Sequence, residues 1–173
     1  MTVLSIPPYP QPILRKPTEV VQSVTPEIRQ LATNMIQTMY AANGVGLAAN
    51  QVGQSLRLFV AQQEQGEGKE LVLINPVIVK KSGRLREEEG CLSLPGMSAL
   101  VNRYSHVTLR GQTLDGQEQV IEADGLLARI LQHETDHLNG LLYVHRIWPW
   151  ARWSLLRHYR TEQQQLQKIQ IKQ

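Results

Sequence analysis

The 173-residue chain has a single cysteine, Cys91. No internal disulfide is open to it, and a reducing compartment is its expected setting. It has no apolar run near the ~20 residues that span a bilayer, so no transmembrane helix is expected. Its first residues, Met1-Thr2-Val3-Leu4-Ser5-Ile6-Pro7-Pro8, lack the basic start and apolar core of a secretory signal. They also lack the Arg/Ser-rich character of a transit peptide. A cytoplasmic protein is expected. No internal repeat and no interdomain linker interrupts the chain, so one domain over residues 1–173 is expected. The hydrophobic share, 42%, is ordinary for a globular domain and sufficient for a core.

The net charge of +3 is unevenly spread. Residues 146–173 carry six basic side chains (Arg146, Arg152, Arg157, Arg160, Lys168, Lys172) and one acid, Glu162, whereas the first 145 residues carry 12 basic against 14 acidic. A near-neutral body thus bears a basic tail, from about residue 148 onward. A polyanion such as RNA suits such a tail, but from charge alone a solvated amphipathic helix is the preferred reading.

Local signals predict an α+β domain, in which helices surround short, mostly antiparallel strands. The Pro-rich residues 1 to about 24 are expected to wrap the surface. Thr25-Pro26 reads as a helix start with a capping hydroxyl, and Ile28, Leu31, Met35, Met39 and Ala42 follow at helical spacing. Asn43-Gly44 ends that helix. Strand-like runs cover Leu56 to Ala61, Leu71 to Ile74, Val77 to Val79, His106 to Gly111 and Gln119 to Glu122. Gln62 to Lys69 is a polar loop, Pro95-Gly96 a turn and Asp115-Gly116 a hairpin turn. Asp124 caps a second helix over about Gly125 to Leu138, which Asn139-Gly140 stops. A third helix runs from about Pro149 past Ile169. Trp148, Trp150, Trp153, Leu155, Leu156 and Tyr159 are expected to anchor it, leaving Arg152, Arg157, Arg160 and Lys168 exposed.

The second helix carries His133-Glu134-Thr135-Asp136-His137, a match to H-E-x-x-H. Residues four apart share a helix face, so His133 and His137 can hold one metal ion while Glu134 takes a proton from its water. Both His continue the apolar stripe of Leu126 and Ile130, so the ligand face is expected to be the buried face. A third ligand is needed. Cys91, in Glu89-Gly90-Cys91-Leu92-Ser93, is the best candidate: Gly90 permits close backbone approach, and Leu92 offers a backbone N–H beside the metal. Three protein ligands and one open position mark a catalytic metal site. His106, His145 and His158 read as ordinary polar residues, with Gly140 separating His145 from the pair.

A third segment is Gly44-Val45-Gly46-Leu47-Ala48-Ala49-Asn50-Gln51. With no Gly-Lys-Ser/Thr after it, and a helix rather than a strand before it, a phosphate cradle is not expected. It reads either as a plain glycine turn or as exposed backbone able to pair with an extended peptide. Gln51 ends it with an amide that can donate to an oxyanion.

Together the three segments resemble the peptide deformylase family, whose motifs G-x-G-L-A-A-x-Q, E-G-C-L-S and Q-H-E-x-D-H-L fall here at Gly44 to Gln51, Glu89 to Ser93 and Gln132 to Leu138. The likeness covers about residues 5 to 145. It implies removal of the N-formyl group from the initiator methionine of nascent polypeptides. It implies one divalent ion, Fe2+, replaceable by Zn2+, Ni2+ or Co2+, held by Cys91, His133 and His137. Glu134 is then the general base, with Leu92 N–H and Gln51 as oxyanion donors. Val45, Gly46 and Gly90 lie along the substrate backbone, and Leu126, Ile130 and Val45 form the methionine pocket. Glu89 and Asp136 orient the ligands from behind. The resemblance also implies ribosome contact through the basic C-terminal helix; neither membrane nor DNA is an expected partner.

The chain departs from the family pattern at Ser98, where Arg is frequent, at Asn102, where Pro is common, and at Glu87 and Arg129, where apolar residues are frequent. Glu87 and Arg129 are expected either to pair across the pocket mouth or simply to face solvent. Two other classes stay open at this level: an H-E-x-x-H zinc peptidase with a different third ligand, and a non-catalytic, metal-stabilised binding module.

Overall fold

The computed structural model describes residues 2–63 and 68–170. Part of the predicted loop at 62–69 therefore lies outside the described residues, as do residues 171–173.

Alternating apolar residues build the centre. Strands β1 (Gly46–Ala48), β2 (Leu58–Gln62), β3 (Glu70–Ser82), β6 (His106–Gln112) and β7 (Glu118–Asp124) form one sheet in the order β1-β2-β3-β6-β7. Every pairing in it is antiparallel. Helices α1 (Pro26–Ala41) and α2 (Gly125–Leu138) use its two faces. Successive side chains on a strand point to opposite faces. Phe59, Ala61 and Leu73 thus meet Ala128, Ile130 and Leu131 of α2, while Leu58, Val60 and Ile74 meet Met35 and Met39 of α1. β2 is apolar on both faces for that reason.

β4 (Leu85–Cys91) and β5 (Leu94–Arg103) form a separate antiparallel hairpin. A second apolar cluster lies under it, built from Met97 and Val101, Tyr9 and Leu14 of the N-terminal segment, Tyr143, and Tyr159 of α3 (Pro149–Gln170).

Both helix boundaries of α2 match the sequence expectation, and Gly140 terminates it at φ +73°. α1 ends with Asn43, not Gly44, in the left-handed region, at φ +53°. Several expectations need correction. Neither Thr25 nor Asp124 makes a side-chain cap hydrogen bond. The two runs around Asn75-Pro76 are one strand, β3, because Asn75 at φ +51° makes a register shift. Its side chain bonds the backbone of Val21 at both ends (2.9 and 2.8 Å), which substitutes for the lost ladder bonds. Pro95-Gly96 is not the turn. Cys91 pairs with Leu94, so Leu92-Ser93 turns the chain, and Pro95 and Gly96 lie inside β5. The hairpin itself was not anticipated. Its inward residues mix apolar and charged, Met97 and Val101 with Glu89 and Arg103, and the β4 run Arg86-Glu87-Glu88-Glu89 carries no apolar alternation. Finally, Trp148, Trp150 and Trp153 do not anchor α3. They are 70%, 73% and 64% exposed, whereas Leu155, Leu156 and Tyr159 seat the helix as expected, and Arg152 is half-buried and not exposed.

Candidate active site and metal centre

Two elements converge on the site. α2 presents His133, Glu134 and His137 toward the hairpin. Gln132 ties the helix there like an extra strand, accepting from Tyr104 N–H (3.0 Å) and donating to Tyr104 C=O (2.8 Å). The hairpin delivers Cys91 at the register shift that follows Gly90. Cys91 Sγ lies 3.2 Å from His137 Nε2, which lies 3.2 Å from His133 Nε2. All three ligand atoms fall within 4.8 Å of one another, and among the described residues this is the one such trio. His133 Nδ1 lies 3.1 Å from Glu89 Oε2; when the ring is neutral and donates there, its Nε2 lone pair faces the thiol and the second imidazole. Three electron-pair donors aimed at one point fit a divalent cation, and a sulfur-nitrogen set suits iron or zinc. His145, the nearest rival ligand, is turned away and bonded to the backbone of Leu142 (2.9 Å). A peptidase with a different third ligand is not favoured.

Behind the ligands lies a charge network. Arg103 Nε and Nη2 grip Glu89 (both 2.9 Å), and its Nη1 reaches Asp136 (2.5 Å). Arg146 holds Asp136 from the other side (3.0 and 2.5 Å). Glu89, Arg103 and Asp136 are all buried. Burial by itself raises Glu89, but the Arg103 and His133 hydrogen bonds and charges outweigh it and bring its pKa to about 2. Burial likewise opposes charge on His133, yet Cys91 and Glu89 raise it to about 10. Burial, then the charge on His133, pushes His137 well down. Burial also raises Glu134 to about 7, and no group among the described residues hydrogen-bonds its Oε2. A buried carboxylate with a free oxygen and a raised pKa is a suitable general base.

The third segment closes the site. Gln51 Oε1 accepts from Ala48 N–H (2.9 Å), which points its amide NH2 at Cys91 Sγ (3.5 Å) and Ser93 Oγ (3.3 Å). Glu134 packs on Gly46, where a Cβ would come within 2.3 Å of its Oε1. The result is one cavity of 590 Å³.

The family model for polypeptide deformylase matches residues 3–153. This chain belongs to the polypeptide deformylase family. It is 43% identical to a peptide deformylase of Thermodesulfovibrio yellowstonii over 164 residues, 94% of this chain and 99% of that one. The fold agrees with a peptide deformylase from Legionella pneumophila at a TM-score of 0.90 and 37% identity, covering 99% of both chains. A peptide deformylase from Ehrlichia chaffeensis, solved with actinonin, gives a TM-score of 0.86 at 38% identity, covering 94% of this chain and 98% of that one.

Within this family member the cavity gathers Cys91, His133, Glu134, Gln51, Leu92, Gly90, Val45, Gly46, Glu89, Leu126 and Ile130. His137 is fully buried behind its wall, and Asp136 lies deeper, on the arginines. Leu126 corrects the expectation of a uniformly buried stripe: it is 58% exposed, at the cavity rim. Arg129 pairs with Glu87 and also donates to Glu88 C=O, clamping the hairpin onto α2. Arg103 and Arg146 escaped the sequence reading. Nothing in their neighbourhood marks them, because their partners are 10 to 33 residues away.

Proposed function

We propose that this chain is a metal-dependent hydrolase that removes the N-formyl group from the terminal formyl-methionine of newly made polypeptides, releasing formate. The observation that carries this reading is the meeting of Cys91, His133 and His137 beside the buried carboxylate of Glu134, whose Oε2 has no hydrogen-bond partner among the described residues, in a cavity of this family. Cys91, His133 and His137 would hold one divalent ion, Fe2+, with Zn2+, Ni2+ or Co2+ as substitutes. When bound, the ion supplies Lewis-acid polarisation of the formyl oxygen and a water of lowered pKa.

The chain's own residues do the rest. Glu134 takes the proton from the attacking water and passes it to the departing amine as the C–N bond breaks. Leu92 N–H and the Gln51 NH2 donate to the formyl oxygen as negative charge builds there. Glu89 fixes the His133 tautomer, and Asp136 steadies Arg103 behind it. The substrate backbone runs along Val45, Gly46 and Gly90. β1 is an edge strand. Val45 C=O accepts from Gln62 N–H (2.8 Å), so alternation turns the Gly46 backbone groups toward the cavity, where an extended peptide can add a strand. Val45, Leu126 and Ile130 enclose the methionine side chain.

The working unit is a single catalytic domain of residues 1–173 with a basic tail from about residue 148. It acts in the cytoplasm on nascent chains. No described helix is long and apolar enough to cross a membrane. Arg157 and Arg160 are exposed on α3 and, with Lys168, make the ribosome contact. Charge reversal of Arg157 and Arg160 should abolish co-sedimentation with ribosomes at low salt; undiminished pelleting would remove that role.

Formate release from formyl-Met-Ala-Ser by anaerobically purified protein, with metal analysis of the same sample, tests the activity. Glu134→Gln should lower turnover by about 10²–10⁴-fold while the metal stays bound. Full turnover in that variant would refute the assignment, and metal binding without turnover in the parent would leave a binding module.

A further inference from the structure

The outward face of the hairpin links the catalytic cavity to a second groove. Alternation along β5 buries Val101 and Arg103 and turns Ser98, Leu100 and Asn102 outward. Ser98 lines the cavity with Glu88, to which its hydroxyl donates (2.5 Å). Leu100 and Asn102, the next two outward residues, line a groove of 430 Å³ with Arg86. Ile147, Trp148 and Trp150 form the other wall. Leu100 is 55% exposed, and Trp148 and Trp150 are more exposed still.

Single exposed apolar residues are ordinary, but a contiguous group of large ones marks a contact surface. The three tryptophans that fail to anchor α3 leave such a surface unexplained, and two of them line this groove. A chain leaving the cavity at Ser98 and following β5 covers the step to Leu100 in two residues, at ~3.3 Å each. We propose that the groove between Leu100 and Trp148/Trp150 is a downstream subsite for the same formylated polypeptide, taking an apolar or aromatic side chain several residues beyond the methionine. Arg86 and Arg146, which line the same groove, can donate to the backbone carbonyls of that segment. The subsite gives long nascent chains a hold that short peptides lack. This inference rests on the deformylase reading of the cavity.

Steady-state kinetics test it. The substrates are formyl-Met-Ala-Ser and two nine-residue peptides with the same start, one carrying Leu and Trp at positions five to eight, the other Ser and Gly. The native chain should favour the apolar nonapeptide by about tenfold in kcat/KM, through KM, as expected for burying one apolar side chain. Trp150→Ser and Leu100→Ser should bring the ratio between the two nonapeptides to about one, with unchanged thermal midpoints. Equal kcat/KM for both nonapeptides in the native chain overturns the subsite, as does a preference that survives both substitutions. Loss of ribosome co-sedimentation with an unaltered ratio assigns the groove to the ribosome instead. Absence of turnover on every formylated peptide overturns the reading of the cavity itself, and this subsite with it.

Discussion

Gly46 shows how little room single residues leave at this site. A methyl group there would fall 2.3 Å from Glu134 Oε1. The clash is with the far end of one side chain, so the fold should tolerate it while the carboxylate swings away. Gly46→Ala should therefore lower kcat/KM by about 10²-fold or more with little change in thermal midpoint. An alanine variant of native activity would show that Glu134 has no need of its observed position. Gln51 is a second case. Its carbonyl is spent on Ala48 N–H, and that one bond decides that its donor end faces Cys91. Oxyanion donors work because they are aimed beforehand, and in the role proposed for Gln51 the aim would be set three residues away.

Between elements, Arg103 is the decisive connection. From β5 it joins Glu89 of β4 to Asp136 of α2, and Glu89 in turn holds His133. Removing one partner of a buried ionic group leaves the others uncompensated. Arg103→Met should therefore destabilise the chain by about 3–5 kcal/mol and weaken metal binding by about 10–100-fold. Denaturant unfolding and metal titration measure the two effects separately, and a stable variant with native metal affinity would rule the network out as a support. The same pairs account for the hairpin that the sequence pattern concealed. Strands are recognised by apolar alternation, and β4 has none: Glu87 pairs with Arg129, and the buried Glu89 is satisfied by Arg103 and His133. α2, by contrast, was legible from start to stop, because apolar spacing and Asn139-Gly140 are local signals.

For the whole molecule, a metal ion held by the proposed ligands would act as a staple. Cys91 belongs to the hairpin, which is not part of the five-stranded sheet, and the two histidines belong to the helix on that sheet. A ligand that binds only the folded state adds stability by mass action, about 4 kcal/mol at a free concentration of 1,000 times Kd. Chelation should accordingly lower the thermal midpoint, and Cys91→Ser should lose most of the difference between loaded and metal-free protein. Identical midpoints with and without metal would show that the hairpin docks without it. The apolar cluster under the hairpin, which includes Tyr159 of α3, predicts that some docking persists, so a shift rather than unfolding is expected.

By itself the sequence determined the chemistry: a thiol, two imidazoles four residues apart, a neighbouring carboxylate and an amide, each in a motif short enough to read locally. It determined the helices too, since their signals lie within a turn or two of each end. Tertiary structure decided what depends on distant partners. It recruited Arg103 and Arg146 to Glu89 and Asp136 and exposed the tryptophans. These are pairings of charge and shape between residues far apart in the chain, and composition or periodicity within any one segment carries no trace of them.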